Sequence, residues 1–117
     1  MKNVSLRQYN SYRNLDVDES GDLAITGPKQ LFGWIVTNMD SQNIHYLKIY
    51  DKATAPTVGT DTPKITIPLF TSHTYIDEIM GGIDFSLGIG VGATTGLADA
   101  DTGAPGANEI VVTLLYK

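Results

Sequence analysis

Cysteine is absent from this 117-residue chain, which excludes a disulfide framework and any thiolate metal site. Histidine occurs only at His45 and His73, too far apart for the paired spacing of a zinc motif. No apolar run approaches the length of a membrane span, and the opening Met-Lys-Asn-Val-Ser-Leu-Arg lacks the apolar stretch of a signal peptide. These absences predict synthesis in the cytoplasm without export by that route, and no membrane partner. Also missing are a Gly-x-Ser-x-Gly elbow, a cysteine nucleophile and a phosphate loop, so no catalytic role is expected. With charged residues at 18%, apolar packing must hold the fold. A chain of this length makes one domain that buries roughly two thirds of its unfolded surface.

Basic residues are scarce and unevenly placed. Residues 1–15 hold Lys2, Arg7 and Arg13 and no acid, whereas residues 16–117 hold five basic and thirteen acidic side chains. An acidic body argues against nucleic acid as a partner, because phosphate binding needs a clustered basic surface. The basic stretch reads either as a frayed terminus or as an arm that orders against an acidic neighbour through Lys2, Arg7 and Arg13, with Tyr9 and Tyr12 adding aromatic area.

The segment 29–39 contains the sole tryptophan and is apolar on both alternating faces, with Phe32, Trp34 and Val36 on one and Leu31 and Ile35 on the other. That pattern predicts a central strand. Before it, Asp16, Asp18 and Asp22 lie in a stretch resembling an EF-hand calcium loop in spacing. Position twelve of that loop is Gly27 where a bidentate Glu belongs, and no helices flank it. An acidic turn with local carboxylate-to-amide bonds is the preferred reading; Asp16, Asp18 and Asp22 remain the candidate metal ligands, and no cofactor is expected.

Residues 45–51 alternate Tyr46, Lys48 and Tyr50 against Leu47 and Ile49, predicting a half-buried strand hairpin-paired with the central one, with His45 as a turn or rim residue. A surface loop follows over 51–63. In 64–70, Ile65, Ile67 and Leu69 alternate, and Pro68 places that strand at a sheet edge or ends its pairing there. Residues 71–80 are expected to be irregular or extended, and the neighbouring Asp77 and Glu78 do not make a catalytic pair. In 82–93, Leu87, Ile89 and Val91 oppose Gly88, Gly90 and Gly92, a bare face suited to an aromatic from the facing layer or to a neighbouring subunit. A second loop, 94–107, precedes a last strand apolar on both faces. Each aliphatic there is worth roughly 1.5 to 3 kcal/mol on burial, so the C-terminus is structural.

Together these readings give an all-β protein, a single-domain β-sandwich over 16–117 with the jelly roll as candidate topology, preceded by an extended N-terminal arm over 1–15. The segments Tyr12-Arg-Asn-Leu-Asp-Val-Asp-Glu-Ser, Leu31-Phe-Gly-Trp-Ile-Val-Thr-Asn, His45-Tyr-Leu-Lys-Ile-Tyr-Asp, Gly82-Ile-Asp-Phe-Ser-Leu-Gly-Ile and Asp101-Thr-Gly-Ala-Pro-Gly-Ala-Asn-Glu-Ile-Val-Val resemble small structural proteins of tailed bacteriophages, over about residues 12–117. The resemblance implies a virion structural protein. Its nearest role is capsid decoration (cement): binding the major capsid protein on the outer head surface, as a homo-oligomer, frequently a trimer, and stabilising the shell. The competing expectation is a tail or baseplate module that binds host-surface glycans, with Tyr46, Tyr50 and Tyr75 as rim aromatics.

Overall fold

The structure, a computed structural model, describes residues 8–117. Among them are eight strands: β1 (Asn10–Asn14), β2 (Asp22–Thr26), β3 (Lys29–Asn38), β4 (His45–Asp51), β5 (Ile65–Leu69), β6 (His73–Phe85), β7 (Gly88–Thr94) and β8 (Ile110–Tyr116). They form two antiparallel four-stranded sheets, ordered β1-β8-β3-β6 and β2-β7-β4-β5. The pairs β1/β8, β2/β7, β3/β6 and β4/β5 nest inside one another. Such nesting is that of one long hairpin rolled into two packed layers, so the sandwich is a jelly roll.

The inner faces supply the core. Leu47 and Ile49 from β4, Ile89, Val91 and Ala93 from β7, Ile110, Val112 and Leu114 from β8, and Val36 from β3 have no exposure at all. The alternation expected of the last strand is present, and β8 lies between β1 and β3. Pro68 sits on β5, an edge strand, where its missing N–H breaks no ladder.

Several expectations change. The strand at 45–51 does not pair with β3. Both edges of β3 are taken by β6 and β8, so the chain crosses to the other sheet and β4 pairs with β5 and β7. Nor is β4 half-buried, since Lys48 and Tyr50 on its outer side are also fully covered. Residues 73–85 form a continuous strand, the extended of the two alternatives expected there. A bulge at the start of β3 shifts its phase: Leu31 pairs with Ile83 and Gly33 with Glu78, leaving Phe32 opposite residues 79–82. Leu31 therefore joins Trp34 and Val36 in the core, while Phe32 turns to stack on Tyr9, ring centroids 5.2 Å apart. Trp34 keeps its indole N–H satisfied by donating to Asp77 Oδ2 at 2.8 Å.

The glycine-rich run is interrupted as well. The Asp51 carboxylate accepts from the Ser86 and Leu87 amides at 3.0 and 2.9 Å, forming a turn that leaves Leu87 exposed and starts β7 at Gly88. What approaches the bare outer face of β7 most closely is not an aromatic of the facing layer, although the Tyr50 ring of the neighbouring β4 reaches Gly92 at 3.7 Å. A Cβ on Gly90 would lie 2.8 Å from Pro56, and one on Gly92 would lie 2.6 Å from Val58, so the 52–64 connection seats two aliphatic side chains where only hydrogen leaves room. Lys48 secures a second connection on the same face by donating to the Ala98 carbonyl at 2.6 Å. Of the stretch read as an N-terminal arm, residues 10–14 are a strand of the first sheet.

Tyr50 is fully buried under these connections, and its hydroxyl has no hydrogen-bond partner. Burial first, then the Asp61 and Asp99 charges, push its phenol up to about 12. A buried unpaired hydroxyl costs roughly 1 to 3 kcal/mol. Tyr50→Phe is therefore expected to keep stability or raise it by about 1 kcal/mol in urea unfolding; a clear loss would show that the hydroxyl is bonded.

Candidate functional site

Strand directions bring four connections to one end of the sandwich: 15–21 between β1 and β2, 39–44 between β3 and β4, 70–72 between β5 and β6, and 95–109 between β7 and β8. Hydrogen bonds tie each to the next. The Ser72 amide donates to the Asp40 carbonyl at 3.1 Å, the Met39 amide to the Glu109 carbonyl at 2.7 Å, and the Val17 amide to the Ile110 carbonyl at 3.0 Å. Asn108 N–H donates to Asp16 Oδ1 at 2.8 Å. On this bonded frame stand Leu15, Met39, Ile44, Phe70 and Leu97, all exposed, with Met39 at 61% and Phe70 at 56%.

Between the tips is a polar cluster. His45, the first residue of β4, retains 2% exposure. Its Nε2 lies 2.9 Å from Asp40 Oδ2 and 3.2 Å from Glu109 Oε1. Asp40 Oδ1 accepts from the Gln42 amide at 2.8 Å and its Oδ2 from Asn43 Nδ2 at 3.2 Å. Glu109 Oε1 accepts from the Gly106 amide at 2.7 Å. Behind the turn, buried Asn38 donates to the Asn43 and Leu69 carbonyls at 3.0 and 3.1 Å and accepts from the Asp40 amide at 3.0 Å. The sequence Asn38-Met-Asp-Ser-Gln-Asn thus folds here as a side-chain-capped turn that fixes Asp40 before β4 begins. A cleft of about 460 Å³ opens onto the cluster, bounded by Asn43, Ile44, Thr95 and Ala104.

The Gln42 amide, and then Asn43 and His45, outweigh desolvation and hold the Asp40 carboxyl at about 2. At neutral pH it is ionised. Among the described residues, Asp40, His45 and Glu109 are the one group of three such side chains whose donor atoms lie within 4.8 Å of one another.

The residues expected to bind partners or ions fall elsewhere. Lys2 and Arg7 lie outside the described residues. Tyr9 donates to Glu78 Oε2 at 2.9 Å, beneath Lys117 Nζ at 6.0 Å. Tyr12 packs on the core, where burial, with the Asp22 charge adding to it, pushes its phenol up. Arg13 is exposed on β1. Asp16, Asp18 and Asp22 face three separate partners: the Asn108 amide, the Ser20 amide at 2.9 Å and Asn14 Nδ2 at 3.2 Å. Of the rim tyrosines, Tyr50 is buried and Tyr46 and Tyr75 are half-buried. His45, expected to be a turn or rim residue, is buried at the centre of the loop end. The sequence signal available was Asp40 five residues before it; Glu109 is brought in by the pairing of β8 with β3.

No protein-family model, no curated protein and no solved structure matches this chain.

Asp40 has its pKa depressed in the folded state, so its contribution to stability is complete above the unfolded carboxylate value of roughly 4 and is lost as pH falls toward about 2. Asp40→Asn is expected to melt below the parent at neutral pH, with the two curves converging over that interval. A pH-independent gap in melting temperature would assign the loss to the turn's shape and not to the charge.

Proposed function

We propose that this protein is a bacteriophage virion structural protein, a capsid decoration protein that binds the major capsid protein on the outside of the head and stabilises the shell. The observation that carries the reading is the loop end: five exposed apolar side chains on connections bonded to one another. Side chains held this way lose little freedom on docking, and a small cluster of exposed apolar anchors is how compact interfaces obtain affinity. A module bound across capsid subunits adds contact area that must be broken before the shell opens, which is stabilisation by linkage. Assembly as a homotrimer belongs to this reading and is read by mass photometry of the isolated protein.

Phe70→Ser combined with Met39→Ser is expected to weaken cosedimentation with empty heads by roughly tenfold or more while shifting unfolding by no more than about 0.5 kcal/mol, since both side chains are exposed. Undiminished binding would remove the loop end from the interface.

The basic N-terminus is the second means of attachment. β1 begins beside Tyr116, at the end away from the four connections. Deleting residues 1–7 leaves Tyr9 and β1 intact and is expected to lower capsid occupancy with a loss that grows less at high salt. Unchanged occupancy would reject the arm as a contact.

The tail-module reading keeps one observation in its favour. Phe70, His73 and Tyr75 form an aromatic series at the β5–β6 turn, with centroids 6.2 and 6.3 Å apart, a surface on which a sugar ring can stack. Binding to host glycans but not to heads would favour it.

A further inference from the structure

We propose that Asp40, His45 and Glu109 form a site for a divalent transition-metal ion of the zinc type, ligated by His45 Nε2, one Asp40 oxygen and one Glu109 oxygen, with water from the adjoining cleft completing the shell. The distances fit. Zinc–nitrogen and zinc–oxygen bonds of about 2.0 to 2.2 Å in a tetrahedron place neighbouring ligand atoms roughly 3.3 to 3.5 Å apart. His45 Nε2 already stands 3.2 Å from Glu109 Oε1 and 2.9 Å from Asp40 Oδ2, and the three donor atoms lie within 4.8 Å of one another, so side-chain adjustment alone brings them to ligation distance.

Charge argues the same way. Two carboxylates converge on one imidazole nitrogen, and a neutral imidazole offers them a single hydrogen. His45 Nδ1 is buried without a hydrogen-bond partner, so the polar contacts of the ring are all made at Nε2. A metal at Nε2 also leaves the ring proton on Nδ1. In exchange it bonds all three ligands at once and brings two positive charges to the point where the carboxylates meet.

The ligands are held in place before any ion arrives. Asp40 is fixed by Gln42 and Asn43, and Glu109 by the Gly106 amide; these are the outer-shell contacts that orient carboxylate ligands. One nitrogen and two oxygens suit zinc and its neighbours better than calcium, which prefers six to eight oxygens, or magnesium, which prefers water and oxygen in an octahedron. Asp40 and His45 flank one connection and Glu109 ends another, so the bound ion would staple 39–44 to 95–109 and stiffen the loop end.

The test uses the full chain after dialysis against chelator. Zinc chloride is titrated calorimetrically with calcium and magnesium as comparators, and cobalt(II) serves as a spectroscopic stand-in. Expected are about one equivalent of zinc bound, a melting temperature raised by zinc and unmoved by calcium or magnesium, and cobalt absorption bands of a low-coordinate nitrogen–oxygen site. Glu109→Gln should weaken zinc binding roughly tenfold or more and remove the zinc-dependent rise, while His73→Gln changes neither. Should His45→Gln fail to fold, Glu109→Gln and the cobalt spectrum carry the test alone. No zinc binding by the parent, or binding unaffected by Glu109→Gln, overturns the proposal. Both readouts are independent of capsid binding, so they stand or fall apart from the decoration reading.

Discussion

The pairing of β8 with both β1 and β3 is the constraint from which the remaining structure follows. Ile110, Val112 and Leu114 face inward with no exposure, while their backbone groups join the strand on either side, Val112 to Asn14 and to Val36. Because the last strand inserts between the first and third, the hairpin cannot stay flat: β6 takes the other edge of β3, and β4 has to cross to the second sheet. That crossing gathers four connections at one end. The same pairing aligns the start of β8 with the end of β3, which sets Glu109 beside the Asp40 turn.

How far the sequence reveals this differs by element. The alternation in 45–51, 65–69 and 110–116 identifies strands because a single-residue slip would send aliphatics to solvent. Pro68 marks an edge for an equally local reason. Pairing partners are another matter: the polar turn 40–43 is compatible with a hairpin or with an arch between sheets, and only the occupation of both edges of β3 decides. The bulge at Phe32 is hidden for a similar reason. Its cause lies in β6, where Gly81 and Gly82 take positive φ and let extra residues loop out opposite Phe32.

The polar cluster was the least legible feature. Asp40 and His45 are near in sequence, but Glu109 reaches them through a β8–β3 ladder that no local pattern encodes. Conversely, the acids at 16–22 have a suggestive spacing and serve as caps: Asp18 closes its own turn on the Ser20 amide and Asp16 binds Asn108. Spacing along a β-rich chain is a poor guide to convergence, because side chains two apart share a face yet point in parallel, whereas ligands must point at one another.

The two sheets are finished differently, and this bears on how a partner would approach. Pro56 and Val58 cover the outside of β7, and Lys48 holds the 95–109 connection over β4. On the outer face of the first sheet Tyr9 covers Phe32, but Ile35 and Ile76, paired across β3 and β6, are 39% and 74% exposed. A partner meeting the second sheet encounters its own loops, while one meeting the first can reach the sheet itself. The loop end lies at the rim of both. A partner surface engaging Met39 and Phe70 from the side of the first sheet would therefore cover Ile35 and Ile76 in the same approach, and this favours docking across that edge over a purely end-on contact.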